Sequence, residues 1–224
     1  HGATGSATGA LGEPLSGLNL GASFTNVPGG TANWTFTDIT GNYNEDSASV
    51  AIVINRADAV IVVTPYNVAY DGAAHTATGS ATGVLSEPLS GLDLSATTHT
   101  NVGLYNGDPW IFTDITGNYN NDNGTVNDVI ASAAAAVTLS NLNHTYDGAP
   151  KSATATTNPL GLAVSITYNG SPTAPSDAGS YSVNAAITDP NYSGSATGTL
   201  NIAQATVIPN ITADDKVYNG NAAA

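Results

Sequence analysis

The sequence contains no cysteine and no methionine, and only three of its 224 residues are Lys or Arg. Without cysteine the chain forms no disulfide, no thiolate metal site and no thiol nucleophile. The three cations stand against 17 acidic residues, which gives a formal net charge of −14. So few cations cannot neutralise a run of phosphates or hold an anionic bilayer. The composition therefore excludes nucleic-acid binding and polybasic membrane binding, and it suits the extracellular or cell-surface location that we expect.

Long apolar runs and helical patterns are also missing. No stretch approaches the roughly 18 uninterrupted apolar residues of a membrane-spanning helix, so we expect no membrane insertion. No segment keeps an apolar stripe at the helical period of 3.6 residues. The alanine run at 133–136 is too short for a helix and is followed at once by β-branched residues. We therefore predict an all-β fold.

What the chain does contain is repetition, which sets its domain organisation. Residues 6–9 recur at 80–83, residues 13–18 at 87–92 and residues 37–44 at 113–120, all shifted by about 75 residues. A triplet of Tyr, Asp or Asn, and Gly starts at Tyr70, Tyr146 and Tyr218, after a β-branched run in each case. We predict module 1 at 1–57, module 2 at 58–133, module 3 at 134–203 and the first strand and turn of a further module at 204–224.

The patterns within each module predict a small sandwich. Residues 164–168 and 181–187 alternate apolar with small or polar side chains, which is the period of a half-buried strand. Trp34 and Phe36 share this spacing, as do their counterparts in module 2, so we expect each pair to anchor a core. Modules of this size fit small β-sandwiches arranged in tandem as a rod.

The two ends of the chain complement each other. Only residues 55–59 separate the strand signals of modules 1 and 2, so we expect a stiff join. Module 1 lacks a counterpart of the opening strand and turn of module 2, whereas residues 204–224 carry such a segment. The expected partners are therefore other copies end to end, through donor-strand complementation, or adjoining modules of the same long chain. The predicted interface residues of the tail are Val207, Ile208, Ile211, Val217 and Tyr218.

Several motifs carry a resemblance to a known family. Tyr-Asp-Gly-x-x-His at 70–75, Ala-Thr-Gly-x-x-x-Glu-Pro-Leu-Ser-Gly-Leu at 81–92 and Thr-Asp-Ile-Thr-Gly-Asn-Tyr-Asn at 113–120 resemble the MBG/YDG-type repeat modules of very large bacterial surface proteins. Module 3 resembles a sister type. The resemblance implies a stalk or fibre segment of a secreted, adhesin-like protein with an Ig-like or β-grasp-like fold.

A further resemblance concerns a local corner. The segment from Asp177 to Tyr181 resembles the Asp-x-Gly-x-Tyr corner of Ig-like sandwiches, in which the Tyr hydroxyl bonds to nearby backbone. Module 2 has Tyr105 at this place, and module 1 has no Tyr there.

Two equivalent loops place side-chain oxygens close together in sequence, which is how Ca²⁺ is held in proteins. Asx residues also fill turns because they bond to their own backbone, so a purely structural turn is the alternative. The candidate calcium residues are Asp38, Asn42, Asn44 and Asp46 in module 1 and Asp114, Asn118, Asn120 and Asp122 in module 2. We expect no other cofactor.

No catalytic constellation is recognisable in the sequence. The four histidines show no carboxylate or second histidine at ligand spacing, and no Ser stands in a Gly-x-Ser-x-Gly motif. Together with the repeats, the short joins and what the family resemblance implies, this leads us to expect a non-enzymatic, extracellular structural protein that forms a stalk or filament. The alternative is an adhesive module that binds glycan or a surface partner, and exposure of Trp34 and Trp110 on one face would favour it.

Overall fold

Alternating apolar and polar residues give short β-strands along most of the chain. The structure, a computed structural model, describes residues 1–213, 215, 217, 218 and 220. Two compact units divide the chain, His1–Ala131 and Ser132–Ala224. The described residues contain 20 strands and a single short 3₁₀ turn, Ser95–Thr97. The predicted all-β fold is therefore confirmed. In the described part of the chain, no helix has the length and apolarity needed to cross a membrane.

The first unit begins with the smaller of its two sandwich modules, module 1. Its strands are β1 (Ala7–Thr8), β2 (Pro14–Leu15), β3 (Leu18–Asn19), β4 (Gly29–Phe36) and β5 (Asp46–Val53). β1 and β2 form one antiparallel pair, and β3, β4 and β5 form a second sheet in that order.

Module 2 completes the first unit and has two fuller layers. Its strands are β6 (Val60–Thr64), β7 (Asn67–Ala69), β8 (Thr78–Thr82), β9 (Pro88–Leu89), β10 (Leu92–Asp93), β11 (Gly103–Phe112) and β12 (Asp122–Ala131). One sheet has the order β6-β8-β9 and the other the order β10-β11-β12-β7. Ala81, Phe112 and Tyr119 are buried between the layers.

The second unit contains module 3. Its strands are β13 (Ala133–Ala134), β14 (Ala136–Ser140), β15 (Asn143–Thr145), β16 (Thr154–Asn158), β17 (Val164–Tyr168), β18 (Gly179–Ile187), β19 (Tyr192–Ser193) and β20 (Ser195–Ala203). The pair β14-β16 packs on the sheet β15-β20-β18-β17. Val183, Leu200 and Ile202 are buried in the core. β17 and β18 confirm the strands predicted from alternation.

The opening strand of modules 2 and 3 is divided between the two sheets. β6 pairs antiparallel with β8, and after Pro65 and Tyr66 the chain continues as β7, which pairs parallel with β12. β14 and β15 repeat this arrangement against β16 and β20, with Asn141 at a φ of 57° between them. One continuous segment therefore closes both layers of a module.

The predicted tyrosine corner is present in modules 2 and 3. The Tyr181 hydroxyl donates to the carbonyl oxygen of Asp177 at 3.0 Å, and the Tyr105 hydroxyl donates to that of Asn101 at 2.6 Å. Module 1 has Gly30 in place of the tyrosine, and a side chain at this glycine would clash with the ring of Phe24. In module 1 the ring of Phe24 therefore fills the corner, whereas in modules 2 and 3 the hydrogen bond of the tyrosine closes it.

Candidate assembly interface

Module 1 has the two layers of module 2 without the strands that close them. β1 pairs with β2 in the register in which β8 pairs with β9, so β1 is the counterpart of β8. In module 2, β6 and β7 cover β8 and β12. Among the described residues, β1 has no partner besides β2, and β5 has none besides β4. Each sheet of module 1 therefore presents one backbone edge on which a further strand could pair.

An apolar groove of about 790 Å³ runs along the layers of module 1. In module 2 the corresponding region is filled, because Ile61 of β6 packs against the buried cluster around Phe112. The effect on exposure is direct: Val126 is 8% exposed, whereas its counterpart Val50 is 41% exposed. The apolar residues that line the groove include Leu15, Leu18, Leu20, Trp34, Phe36 and Ile52.

The tail of the chain has the spacing of the segment that fills module 2. Residues 205–218 align with residues 57–70 without a gap, so that Tyr218 matches Tyr70. The half-buried positions Ala59, Ile61 and Val63 then correspond to Val207, Pro209 and Ile211. A proline is acceptable here because β6, the counterpart, is an edge strand.

The predicted interface residues of the tail all face solvent. Val207, Ile208, Ile211, Val217 and Tyr218 are between 82% and 94% exposed. Exposure of five large apolar side chains within a short segment is typical of an interaction segment, and the partner of this segment stays a prediction. The predicted turn after Tyr218 includes Asn219, which lies outside the described residues.

The short connection between modules 1 and 2 is hydrogen-bonded rather than free. The backbone N–H of Ala57 donates to the carbonyl of Asn118 at 3.0 Å, and the N–H of Asn120 donates to the carbonyl of Ala57 at 2.9 Å. The Asn120 side chain donates to Asp58 at 2.7 Å. The connection is therefore held against a loop of module 2, as expected for a stiff join.

The candidate calcium loop of module 1 is organised by one carboxylate. Asp38 accepts hydrogen bonds from the backbone N–H groups of Thr40 at 3.0 Å and Tyr43 at 2.9 Å, and from the Thr40 hydroxyl. These bonds, of which that from the Tyr43 N–H has the largest effect, lower the pKa of Asp38 to about 2.

The other candidate calcium residues of this loop make fewer contacts. The side chain of Asn42 donates to the Thr40 hydroxyl, and Asp46 accepts from the N–H of Ser47. Asn44 is exposed.

The equivalent loop of module 2 repeats this turn. Asp114 accepts from the N–H groups of Thr116 and Tyr119. Burial raises the pKa of Asp114, but the bonds from Tyr119 and Thr116 outweigh this effect and lower it. Asn118 and Asn120 reach module 1 and Asp58, and Asp122 accepts from Asn123.

These contacts bear on the calcium prediction. The Asp carboxylates of both loops are engaged by donors of their own turns, as in the structural alternative. Within the described ranges, no three His, Asp or Glu side chains come together as a metal site would require. The hydrogen bonds support the turn interpretation, and calcium binding stays a prediction.

A Glu–Tyr pair joins this turn to the neighbouring hairpin in each of the first two modules. The hydroxyl of Tyr43 donates to Glu13, and that of Tyr119 donates to Glu87. The bond lowers the pKa of each Glu and raises that of each Tyr. Gly83 lies so close that a methyl group there would collide with both members of the pair in module 2. This repeated Glu therefore has a structural role in positioning the turn.

The two tryptophans face inward in part. Both are half-buried; Trp110 packs against the core of module 2, and Trp34 lines the groove of module 1. Phe36 and Phe112 on the same strands are buried, as predicted. The tryptophans therefore support cores and the groove wall.

The expectation that the histidines lack nearby carboxylates is wrong. His75 lies 3.0 Å from Asp71, four residues away along the chain, and His99 lies 2.8 Å from Asp108. The ring of His99 also stacks on Tyr105 with a centroid distance of 3.5 Å. The first pair was visible as a spacing of four residues, whereas the second depends on the fold. Both brace one end of module 2.

Comparison with known proteins supports the family resemblance for one module. Residues 135–206 match the family model of the MBG domain. This match confirms that module 3 is of the MBG type. Neither curated proteins nor solved structures give a match to this chain.

Proposed function

We propose that this chain is a non-enzymatic, extracellular structural protein whose β modules join end to end into a stalk or filament. The observation that carries the proposal is the combination of an open groove in module 1 with an exposed tail segment whose spacing matches the segment that fills module 2. Module 1 offers two free sheet edges and an apolar groove. The tail offers the counterpart of the segment that closes module 2. A strand of this sequence completes module 1 by addition to a sheet edge.

The contacts in the filled module indicate how the added strand binds. β6 makes a five-residue antiparallel ladder with β8, from Val60 opposite Thr82 to Thr64 opposite Thr78. The tail presents the same length of backbone to β1. Val207 and Ile211 enter the groove on one face, at positions that are half-buried in module 2, so each contributes less than the about 1.5–3 kcal/mol of a fully buried side chain. This gain offsets part of the cost of ordering the tail.

Load passes between modules through backbone as well as side chains. The join at residues 55–59 is bonded to the loop of module 2 that contains Asn118 and Asn120. A short bonded join of this kind resists bending, which is the mechanical property that a stalk requires. The charge of −14 with only three cations keeps the sides of neighbouring molecules apart, and charge spread along the sides does not prevent strand pairing at the ends.

The test uses the purified chain at increasing concentration, observed by light scattering and electron microscopy. We expect concentration-dependent filaments. Val207→Ser combined with Ile211→Ser removes the inward face of the added strand and should abolish them. Ile208→Ser is the matched control, because its counterpart Val60 is 64% exposed in module 2. A chain that stays monomeric, or equal behaviour of the two variants, contradicts assembly between copies.

An adhesive role is the second candidate, and one repeated feature favours it. The loops that follow β1, β8 and β16 each carry a leucine that is at least 85% exposed: Leu11, Leu85 and Leu160. An exposed apolar tip at the same place in each of the three modules suits binding to a surface partner. Replacing the three leucines by Ser should abolish binding to cells or glycan arrays without affecting filaments, and unchanged binding contradicts this role.

A further inference from the structure

One asparagine connects module 2 to the end of module 1. The side-chain oxygen of Asn118 accepts the backbone N–H of Val27 at 2.9 Å, and its amide nitrogen donates to the side-chain oxygen of Asn26 at 3.3 Å. Its own carbonyl accepts the N–H of Ala57. A single residue of module 2 therefore forms hydrogen bonds with three groups of module 1. Val27 is half-buried at this contact.

Module 1 carries the same turn with its asparagine facing solvent. Asp38 holds this turn with the bonds that Asp114 makes in module 2, so both turns have one conformation. Asn42 is the counterpart of Asn118. It is exposed, and its amide donates only weakly, at 3.3 Å, to the hydroxyl of Thr40. The turn is thus preformed, and the side-chain amide of Asn42 is available for hydrogen bonds to another group.

Module 3 carries the matching end. The registers of the strands align Gly179, opposite Ile202, with Pro28, whose carbonyl accepts the N–H of Ile54. Ala178 is then the counterpart of Val27, and Asp177 that of Asn26. A cavity of about 470 Å³ lies at this end, and Ala178, Gly179 and Ala203 line it. Ala178 is exposed, in contrast to Val27.

We propose that the turn at Asn42 docks into the module 3 end of a second copy. This inference rests on the proposed end-to-end assembly and adds the contact that sets its register. The side-chain oxygen of Asn42 accepts the N–H of Ala178, and its amide nitrogen donates to the carboxylate of Asp177. The second bond is stronger than its counterpart between Asn118 and Asn26, because its acceptor is charged.

The contact also fixes the position of the tail. Ala205 is the counterpart of Ala57, whose N–H donates to the carbonyl of Asn118. Docking therefore places the N–H of Ala205 on the carbonyl of Asn42, at the start of the segment that enters the groove. Because side chains alternate along a strand, a shift by one residue would turn Val207 and Ile211 away from the groove. The asparagine thus selects one register.

The test compares filament formation by the intact chain and by variants at Asn42. Asn42→Ala should raise the concentration for half-maximal assembly at least about thirtyfold, as expected for loss of one neutral and one charge-assisted hydrogen bond. Asn42→Asp places two carboxylates together and should weaken assembly at least as much. Asp177→Asn in addition reverses the donor and the acceptor, and should restore assembly. Asn33→Ala, at an exposed position of the same module, is the control.

The outcomes separate this inference from the proposed function. Filaments that form equally well with Asn42→Ala and Asn33→Ala overturn the docking contact and leave end-to-end assembly standing. Loss of assembly with Asn42→Asp that Asp177→Asn fails to restore also overturns the contact. An unaltered chain that never assembles overturns both proposals. Weakening by Asn42→Asp and recovery in the double variant support the contact, and a general folding defect would not produce that recovery.

Discussion

Phe36 and Phe112 offer a direct comparison of an open and a closed core. They occupy equivalent positions on β4 and β11, and both rings are buried, with 8% and 0% exposed. Phe112 lies beneath the layer that contains β6, whereas Phe36 lines an open groove. The same substitution to Ala should therefore have different effects in the two modules.

The difference comes from the space left behind. In module 2 the vacated space stays closed, and a cavity on the order of 100 Å³ adds about 2 kcal/mol to the lost transfer free energy. Phe112→Ala should thus lower the free energy of unfolding by about 3–5 kcal/mol. In module 1 water enters from the groove, so Phe36→Ala should cost about 2 kcal/mol less, since the cavity contribution is absent.

Urea unfolding followed by tryptophan fluorescence measures both values. Trp110→Phe leaves Trp34 as the reporter of module 1, and Trp34→Phe leaves Trp110 as the reporter of module 2. Each Phe→Ala variant is compared with its own reporter background. Equal losses in the two modules, or a larger loss in module 1, would refute the distinction between an open and a closed core.

Three more predictions concern the turns and module 2. Asp38 should stabilise its turn fully above about pH 4. Because its folded pKa is lowered to about 2, this contribution is lost as the pH falls toward 2. Amide exchange of the turn checks this, and loss of protection near pH 6 argues against it. Burial, with nearby Asp128 and Asp108, raises the pKa of Tyr66 to about 12, so stability should fall above pH 10. A tyrosinate absorbance step near pH 12 that Tyr66→Phe leaves unchanged contradicts the assignment. Gly83→Ala should destabilise module 2 by about 1–3 kcal/mol through overpacking against the Glu–Tyr pair, whereas Gly2→Ala should be nearly neutral. Thermal unfolding compares the two variants, and similar losses of stability would disprove the close approach of Gly83 to the Glu–Tyr pair.

Local patterns in the sequence predicted those structural elements that depend only on residues close together along the chain. The alternation at 164–168 and 181–187 became β17 and β18, because the period of two fixes which face of a strand is buried. The Asp-x-Gly-x-Tyr segment became a corner because its donor and acceptor are only four residues apart. The burial of Phe112 was likewise predicted from the alternation along its strand, which places the ring on the buried face.

Contacts between residues far apart along the chain could not be predicted from such local patterns. The division of β6 and β7 between two sheets depends on partners at β8 and β12, which lie far along the chain. The contact of Asn118 with Val27 joins residues 91 positions apart, and nothing in the Thr-Gly-Asn-Tyr motif distinguishes Asn118 from its exposed counterpart Asn42. Likewise, only the fold brings Asp108 to His99.

The candidate calcium loops show a different limit. The same Asx-rich pattern can bind a metal ion or close a turn, because carboxylate oxygens accept N–H groups as readily as they ligate cations. In these loops Asp38 and Asp114 accept from Thr and Tyr backbone. The decision between the two depends on where backbone donors point, which composition and spacing do not specify.

The most direct test of strand addition is binding of the tail segment to the groove of module 1. A synthetic peptide of residues 203–220 is added to the Val207→Ser/Ile211→Ser chain in the Trp110→Phe background, so that only Trp34 in the groove reports. We predict a saturable blue shift of Trp34 emission, no shift with a scrambled peptide, and none for Trp110 in the Trp34→Phe background. No response of Trp34, or an equal response of Trp110, would contradict the account.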